Sequence, residues 1–430
     1  MIRAGLAQIE ITAAVGTPLT GYIARDGNAV GMHDPLMAKA LVLADGANQA
    51  AIVTCDLLGL HRRDVQRFRQ AIQAATGIPA DAVMIASSHT HAGPAVDGYD
   101  AGQSAPHYEA FLWQRVRSCI DRTFINTFSG RLSFAAIEGD WNVNRRRKVN
   151  GIIEARPNYT GVKDNFLNVL KVIDDDNRVR CLLLNYGCHP VTLRDQLYVS
   201  GEYPGRLCQL LETAYYGSVA LFFQGAGGNS RPRLTASGDR FKRCTYDEVD
   251  DLALAMANNV QKAVNTGAMR SVDLNLAAVQ FVIPLPLAPF PPAYLERLIA
   301  QEQDERLDKN SREFYANAAR RILDRFDELP EVVDLYAGII RLSPDLYIAH
   351  MGGEPCYEVK QLIEQLFGDR QMLLFGYGDS IAYIIDDSIL ADGGYEADEI
   401  VEYGHKGKFK PGLDQRYYEA YRTHFESVRL

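Results

Sequence analysis

The sequence predicts an α/β protein: a single large domain on a mixed β-sheet core with flanking helices, and a metal site at strand-end loops. Three observations carry this expectation. Apolar runs of strand length alternate with segments of helical periodicity. A strand–helix–strand order early in the chain implies a parallel pair joined by a right-handed crossover. Histidines and a glutamate stand directly after buried-strand candidates, where open α/β sheets collect their ligands.

Taken in order, residues 39–45 and 50–56 are apolar runs split by a Gly-Ala-Asn-Gln turn, the pattern of a hairpin. Val65, Phe68, Ile72 and Ala75 then recur at helical spacing, and Gly77 sits where a helix would stop. Residues 82–86 read as the parallel strand that completes the crossover. Residues 178–185 and 219–223 are buried-strand candidates with a helix over 204–216 between them. Residues 249–264 read as a helix and 273–284 as a strand. Residues 346–351 and 372–375 read as strands flanking a helix over 357–367. The proline-rich stretch 285–292 is expected to be a loop. The highly charged, helix-prone stretch 294–329 is expected to be a solvated helical insertion.

Bulk properties narrow the function class. The chain has 430 residues, 23% charged and 47% hydrophobic, which is ordinary for a globular enzyme and too apolar for disorder. A formal net charge of -9 opposes binding to a phosphate backbone. The one dense basic run, Arg145 to Lys148, is short, so nucleic acid is not an expected partner. Neither a signal peptide nor an apolar run of membrane-spanning length is visible. The 7 cysteines are odd in number and scattered, without a Cys-x-x-Cys pair, which suits reduced thiols. A cytoplasmic location is the expectation; nothing in the sequence indicates an oligomeric state.

The chemistry is concentrated at three strand ends. Ser87-Ser-His-Thr-His-Ala-Gly-Pro94 follows a buried strand and presents two imidazoles one residue apart. Leu184-Asn-Tyr-Gly-Cys-His-Pro190 repeats the layout with His189. Ile348-Ala-His-Met-Gly-Gly-Glu-Pro355 turns on two glycines and delivers Glu354. His89, His189 and Glu354 form a plausible His₂Glu set, a catalytic complement that leaves a position for water or substrate. Asp56, also at a strand end, is expected either to orient a metal-bound imidazole or to cap the following helix. There is no Gly-x-Ser-x-Gly elbow to suggest a serine hydrolase.

These segments resemble, in order along nearly the whole chain, the catalytic domain of the neutral (non-lysosomal) ceramidases, which are zinc amidases. The resemblance rests on Ala4-Gly-Leu-Ala-Gln-Ile-Glu-Ile-Thr12 with Thr20-Gly-Tyr22, on Ser88-His-Thr-His-Ala-Gly-Pro94, on Asn144-Arg145, on His189-Pro190, and on Tyr383 and Tyr395-Glu396. It implies zinc held by His89, His189, Glu354 and Tyr383, with His91, Arg145 and Tyr395 around the reacting carbonyl. Without the resemblance, Tyr383 reads as a strand aromatic. In the loop Phe223-Gln-Gly-Ala-Gly-Gly-Asn-Ser-Arg-Pro232, Ser230 matches a serine that meets the substrate's hydroxyl end. Gly228 there replaces an aspartate, and Arg231 interrupts a Ser-Pro step. The C-terminal β-sandwich of those enzymes has no counterpart in residues 1–430.

The implied function is hydrolysis of an amide bond in an N-acyl, lipid-like substrate by metal-activated water, with a place in sphingolipid metabolism. His91 is the expected source of the proton for the leaving amine, since imidazole titrates near neutrality, with Tyr395 as the alternative. An esterase, a hydrolase of a small polar or carbohydrate-derived substrate, and a non-catalytic zinc-binding homologue are the alternatives.

Overall fold

The computed structural model describes residues 2–96, 106–306 and 308–429. Its core is two β-sheets stacked face to face, with helices covering the outer faces. The larger sheet has 9 strands and the smaller has 5. Both are mixed. In the larger, Gln49–Cys55 runs parallel to Val83–Ser87, and Val179–Tyr186 parallel to Val219–Gln224. In the smaller, Leu346–Met351 runs parallel to Gln371–Phe375. Each parallel pair is bridged by one helix: Arg62–Thr76, Glu202–Ala214 and Tyr357–Glu364. The remaining ladders in the two sheets are antiparallel, including the expected hairpin between Met37–Ala44 and Gln49–Cys55.

Side-chain alternation sorts these strands into layers. Leu182, Leu184, Ala220 and Phe222 face outward and pack with the helices Glu202–Ala214 and Tyr246–Asn265. Leu183, Leu221 and Phe223 face inward and join Ile340, Leu342, Ile348, Leu373 and Phe375 from the second sheet. Phe223 and Phe375 stack across that interface with ring centroids 4.6 Å apart. The alternate residues of the second sheet, among them Leu335, Ile339, Tyr347 and Leu374, pack with Val359, Ile363, Tyr417, Tyr421 and Phe425. Buried on both faces, the central strands read as continuous apolar runs, which is why they were visible in the sequence.

Two expectations give way. Residues 285–292 are not a loop: the strand Ala277–Pro289 runs through most of them. It tolerates Pro284 and Pro286 while pairing with Val332–Ser343, and its far end pairs with Gly407–Phe409. Leu285 and Leu287 alternate inward and are fully buried, so burial outweighs the proline signal. The charged stretch 294–329 is helical as expected, but as two helices, Pro292–Ala300 and Lys309–Asp324. Leu295, Ala318, Ala319 and Ile322 bury one face against the second core, so the segment is docked rather than simply solvated. Among the described residues, no helix is long and apolar enough to cross a membrane, and all seven cysteines are free and buried.

Candidate metal centre and its surroundings

Each of the three crossovers delivers one candidate side chain at the carboxyl end of its first or last parallel strand. His89 lies just beyond Val83–Ser87, and His189 just beyond Val179–Tyr186. Glu354 lies just beyond Leu346–Met351, at a turn in which Gly353 has φ +68°. A Cβ on Gly353 would lie 2.6 Å from the Ala382 carbonyl oxygen, so only glycine fits. The turn lets Glu354 pair in parallel register with Tyr383. His89 itself has φ +66°, a left-handed conformation uncommon outside glycine and typical of strained functional positions.

The imidazoles meet at their Nε2 atoms. His89 Nε2 is 3.0 Å from His189 Nε2 and 3.2 Å from His91 Nε2. Glu354 Oε2 is 3.3 Å from His89 Nε2 and 3.1 Å from His189 Nε2. On the opposite side of each ring, Nδ1 is 2.7 Å from a backbone carbonyl: Leu58 for His89, Gly21 for His91 and Gly227 for His189. A carbonyl only accepts, so each Nδ1 carries the proton and donates it. The Nε2 edges of the three rings then face one another. Burial, with the neighbouring charges, holds His189 down at about 4 and His91 well below 6.5, so both rest as neutral rings. Glu354 Oε2 is buried without a hydrogen-bond donor. Lone pairs facing lone pairs beside an unsatisfied carboxylate oxygen repel unless a cation lies among them. The separations are close to the roughly 3.3 Å between neighbouring ligand atoms on one tetrahedral zinc. His89, His91 and His189 thus make a group able to hold a metal ion.

The other expected residues gather nearby. Tyr383 stacks on His189, with centroids 6.1 Å apart and planes at 22°. Arg145, on the strand Asn142–Val149, has its guanidinium 5.4 Å from the Tyr383 ring and 5.3 Å from the Tyr395 ring. Its Nε donates to Glu396 Oε1 at 2.8 Å, and Arg146 holds the other oxygen of Glu396 at 2.5 Å. Burial keeps the Tyr395 phenol well above 10, so it stays protonated. His89, His91, Glu354, Tyr383 and Tyr395 all line one cavity of about 460 Å³ including its mouth.

Ser230 is placed differently. Its hydroxyl is buried and donates to the Gly187 carbonyl at 3.0 Å, and it is not among the residues lining that cavity. Its carbonyl accepts from the His189 backbone N–H at 3.3 Å. Asp56 plays neither expected part. His61 caps the helix Arg62–Thr76. The Asp56 carboxylate accepts from the Met37 N–H at 2.9 Å, while carbonyls, not carboxylates, orient the imidazoles. The expectation that His91 titrates near neutrality is also overturned, because burial and the two adjacent histidines depress it.

Sequence reasoning missed Tyr377 and Tyr403. Tyr403 donates its hydroxyl to Glu354 Oε1 at 2.7 Å. Tyr377, with φ +60°, packs its ring 4.3 Å from His89 and lines the cavity with its hydroxyl buried. Tyr377 lies in an irregular connection and Tyr403 in a turn, among many other tyrosines, and no local pattern sets them apart.

Fold and site together describe an α/β protein with a buried histidine–carboxylate cluster at the carboxyl ends of parallel strands. No family model matches the chain. Solved structures share its fold. The crystal structure of neutral ceramidase from Pseudomonas aeruginosa matches with a TM-score of 0.74 at 16% identity, over 100% of this chain and 75% of that one. A ceramidase complexed with C2 matches with a TM-score of 0.74 at 16% identity, over 98% and 74% of the two chains. The fold of this chain is that of the neutral ceramidase structures.

Proposed function

We propose that the protein is a zinc-dependent hydrolase that cleaves the amide bond of an N-acyl substrate. The observation that carries this is the convergence of the His89 and His189 Nε2 atoms and the unsatisfied Glu354 oxygen at one point, with the His91 Nε2 beside them. The ceramidase fold supports amide as the bond.

In this reading His89, His189 and Glu354 hold the metal and Tyr383 completes the set. Zinc, when bound, supplies Lewis acidity and lowers the pKa of water. His91 is a neutral ring whose Nε2 accepts a proton from the attacking water and returns it to the departing amine. Arg145 carries a permanent charge and has an Nη2 with no protein acceptor. With the protonated Tyr395 hydroxyl, it donates to the oxyanion that develops on the carbonyl. A single such donor is typically worth about 3–4 kcal/mol. Ser230, bound to Gly187, supports the backbone under His189.

Elemental analysis of protein purified without a metal-binding tag tests the reading. About one zinc per chain is expected, as for a mononuclear catalytic centre. His89→Ala and His189→Ala should lose it, while His91→Ala should keep it and lose turnover. Wild-type protein that takes up no zinc when supplied would overturn the metal centre. Zinc-loaded protein that cleaves esters but no N-acyl amine would overturn the choice of bond.

A further inference from the structure

Tyr377 lines the cavity around the candidate centre and has no assigned role in the hydrolysis. It lies two residues past the strand Gln371–Phe375, where the carboxyl ends of four strands meet. Its N–H donates to the Gly353 carbonyl at 2.8 Å, next to Glu354. Its carbonyl accepts from the Ser87 N–H at 3.1 Å, at the end of the strand that leads to His89. On either side, the Gly376 N–H donates to the Gln224 carbonyl at 3.0 Å and the Gly378 N–H to the Met351 carbonyl at 3.2 Å. These bonds hold a bulky residue at φ +60°, where it is a genuine outlier. Strain of that kind persists only where the surroundings over-determine it, and it collects at functional sites.

The side chain is placed as firmly as the backbone. Its ring centroid is 4.3 Å from that of His89 and 6.1 Å from that of His189, with planes at 42° and 81°. Tyr377 is 2% exposed, and its hydroxyl is buried with no hydrogen-bond partner. The other tyrosines lining the cavity are placed differently. Tyr403 gives its hydroxyl to Glu354, and Tyr383 and Tyr395 lie under the Arg145 guanidinium. Burial, reinforced by the Glu354 charge, holds the Tyr377 phenol well above 10, so it keeps its proton. A buried donor without an acceptor is costly. An oxygen brought into the cavity by a ligand removes that cost.

We propose that Tyr377 is a further catalytic residue, whose hydroxyl donates to the oxygen of the scissile carbonyl from the His89 side of the cavity. It adds to Arg145 and Tyr395, which stand on the Tyr383 side. The proposal rests on the amidase reading above and gives it one more donor. The phenol transfers no proton. Its hydrogen bond strengthens as negative charge grows on that oxygen, and only interactions that strengthen in the transition state speed the reaction. The ring is fixed against His89 and His189, and the backbone is fixed by the surrounding strand ends. The donor therefore needs no reorganisation when the charge appears.

The test is Tyr377→Phe, which removes the hydroxyl and keeps the ring on His89. On the zinc-loaded protein, kcat for N-lauroylethanolamine should fall roughly 100- to 1,000-fold, the range for one such donor, with KM nearly unchanged. Bound zinc should stay at the wild-type level by elemental analysis. Tm should stay equal or rise, because the hydroxyl has no protein partner to lose. Calorimetry adds a second readout with 2-hydroxyethyl dodecylphosphonate, in which a charged tetrahedral phosphorus replaces the carbonyl carbon. Its affinity should fall by a similar factor in the variant. A wild-type kcat in Tyr377→Phe overturns the role; so does loss of zinc or a lower Tm, which makes the phenol structural. If the wild type cleaves no amide, the phosphonate decides. Weaker binding in Tyr377→Phe keeps the donor while the amidase reading fails; equal affinities, or no binding to either protein, overturn the donor.

Discussion

Glu354 Oε1 accepts the Tyr403 hydroxyl, and Oε2 is thereby left facing His89 and His189. Which oxygen points at the histidines is decided by one phenol 49 residues further along the chain. Partners that orient a ligating carboxylate typically govern metal affinity by about 10- to 100-fold. Tyr403→Phe removes the hydroxyl and keeps the ring that packs on Tyr383. It should therefore weaken zinc by that factor in competition with a chelator while leaving far-UV circular dichroism intact. Affinity equal to the wild type would mean that Glu354 is held by backbone alone. The three backbone carbonyls act in the same way on the histidines. They set the tautomer and leave Nε2 free, and no side-chain substitution removes them.

At the scale of elements, the site depends on how sharply chains leave their strands. Leu346–Met351 ends in Gly352-Gly353, and the short strand Glu354–Pro355 begins at once. Gly353 is both left-handed and wedged against the Ala382 carbonyl, so a methyl group there collides and strains the turn. Gly353→Ala should push Glu354 away from Tyr383, against which it is registered. The expected outcome is loss of most bound zinc by elemental analysis together with a lower Tm. Full zinc occupancy in this variant would show that the turn is not what aims Glu354. The same economy appears at His89, where a left-handed residue directly after Ser87-Ser88 turns the ring back toward the second sheet.

At the scale of the molecule, the centre joins the two sheets. His89 and His189 come from the larger sheet, and Glu354 and Tyr383 from the smaller sheet and its extension. A ligand that binds only when both halves are in place stabilises the fold by linkage, about 4 kcal/mol at roughly 1,000 times its dissociation constant. Zinc added to chelator-treated protein should raise Tm by a few degrees, and His189→Ala should abolish the rise. No shift in the wild type at saturating zinc would show that the sheets are already locked without it. The apolar interface centred on Phe223 and Phe375 holds the sheets together in either case.

The sequence by itself determined the local parts of this protein. Strand periodicity, the Gly77 stop and the hairpin turn are written in neighbouring residues, and so the crossovers that carry His89, His189 and Glu354 were legible. The types of the candidate ligands were legible too, because imidazoles and carboxylates stand out at strand ends. Tertiary structure alone decided the rest, because it depends on contacts far apart in the chain. It turned 285–289 into strand by burying Leu285 and Leu287. It moved the orienting role from Asp56 to backbone carbonyls, which carry no sequence signal. It lowered the affinity of His91 for protons through burial beside two other rings. It also packed Tyr22 against His91, 69 positions further along the chain, with ring centroids 5.2 Å apart.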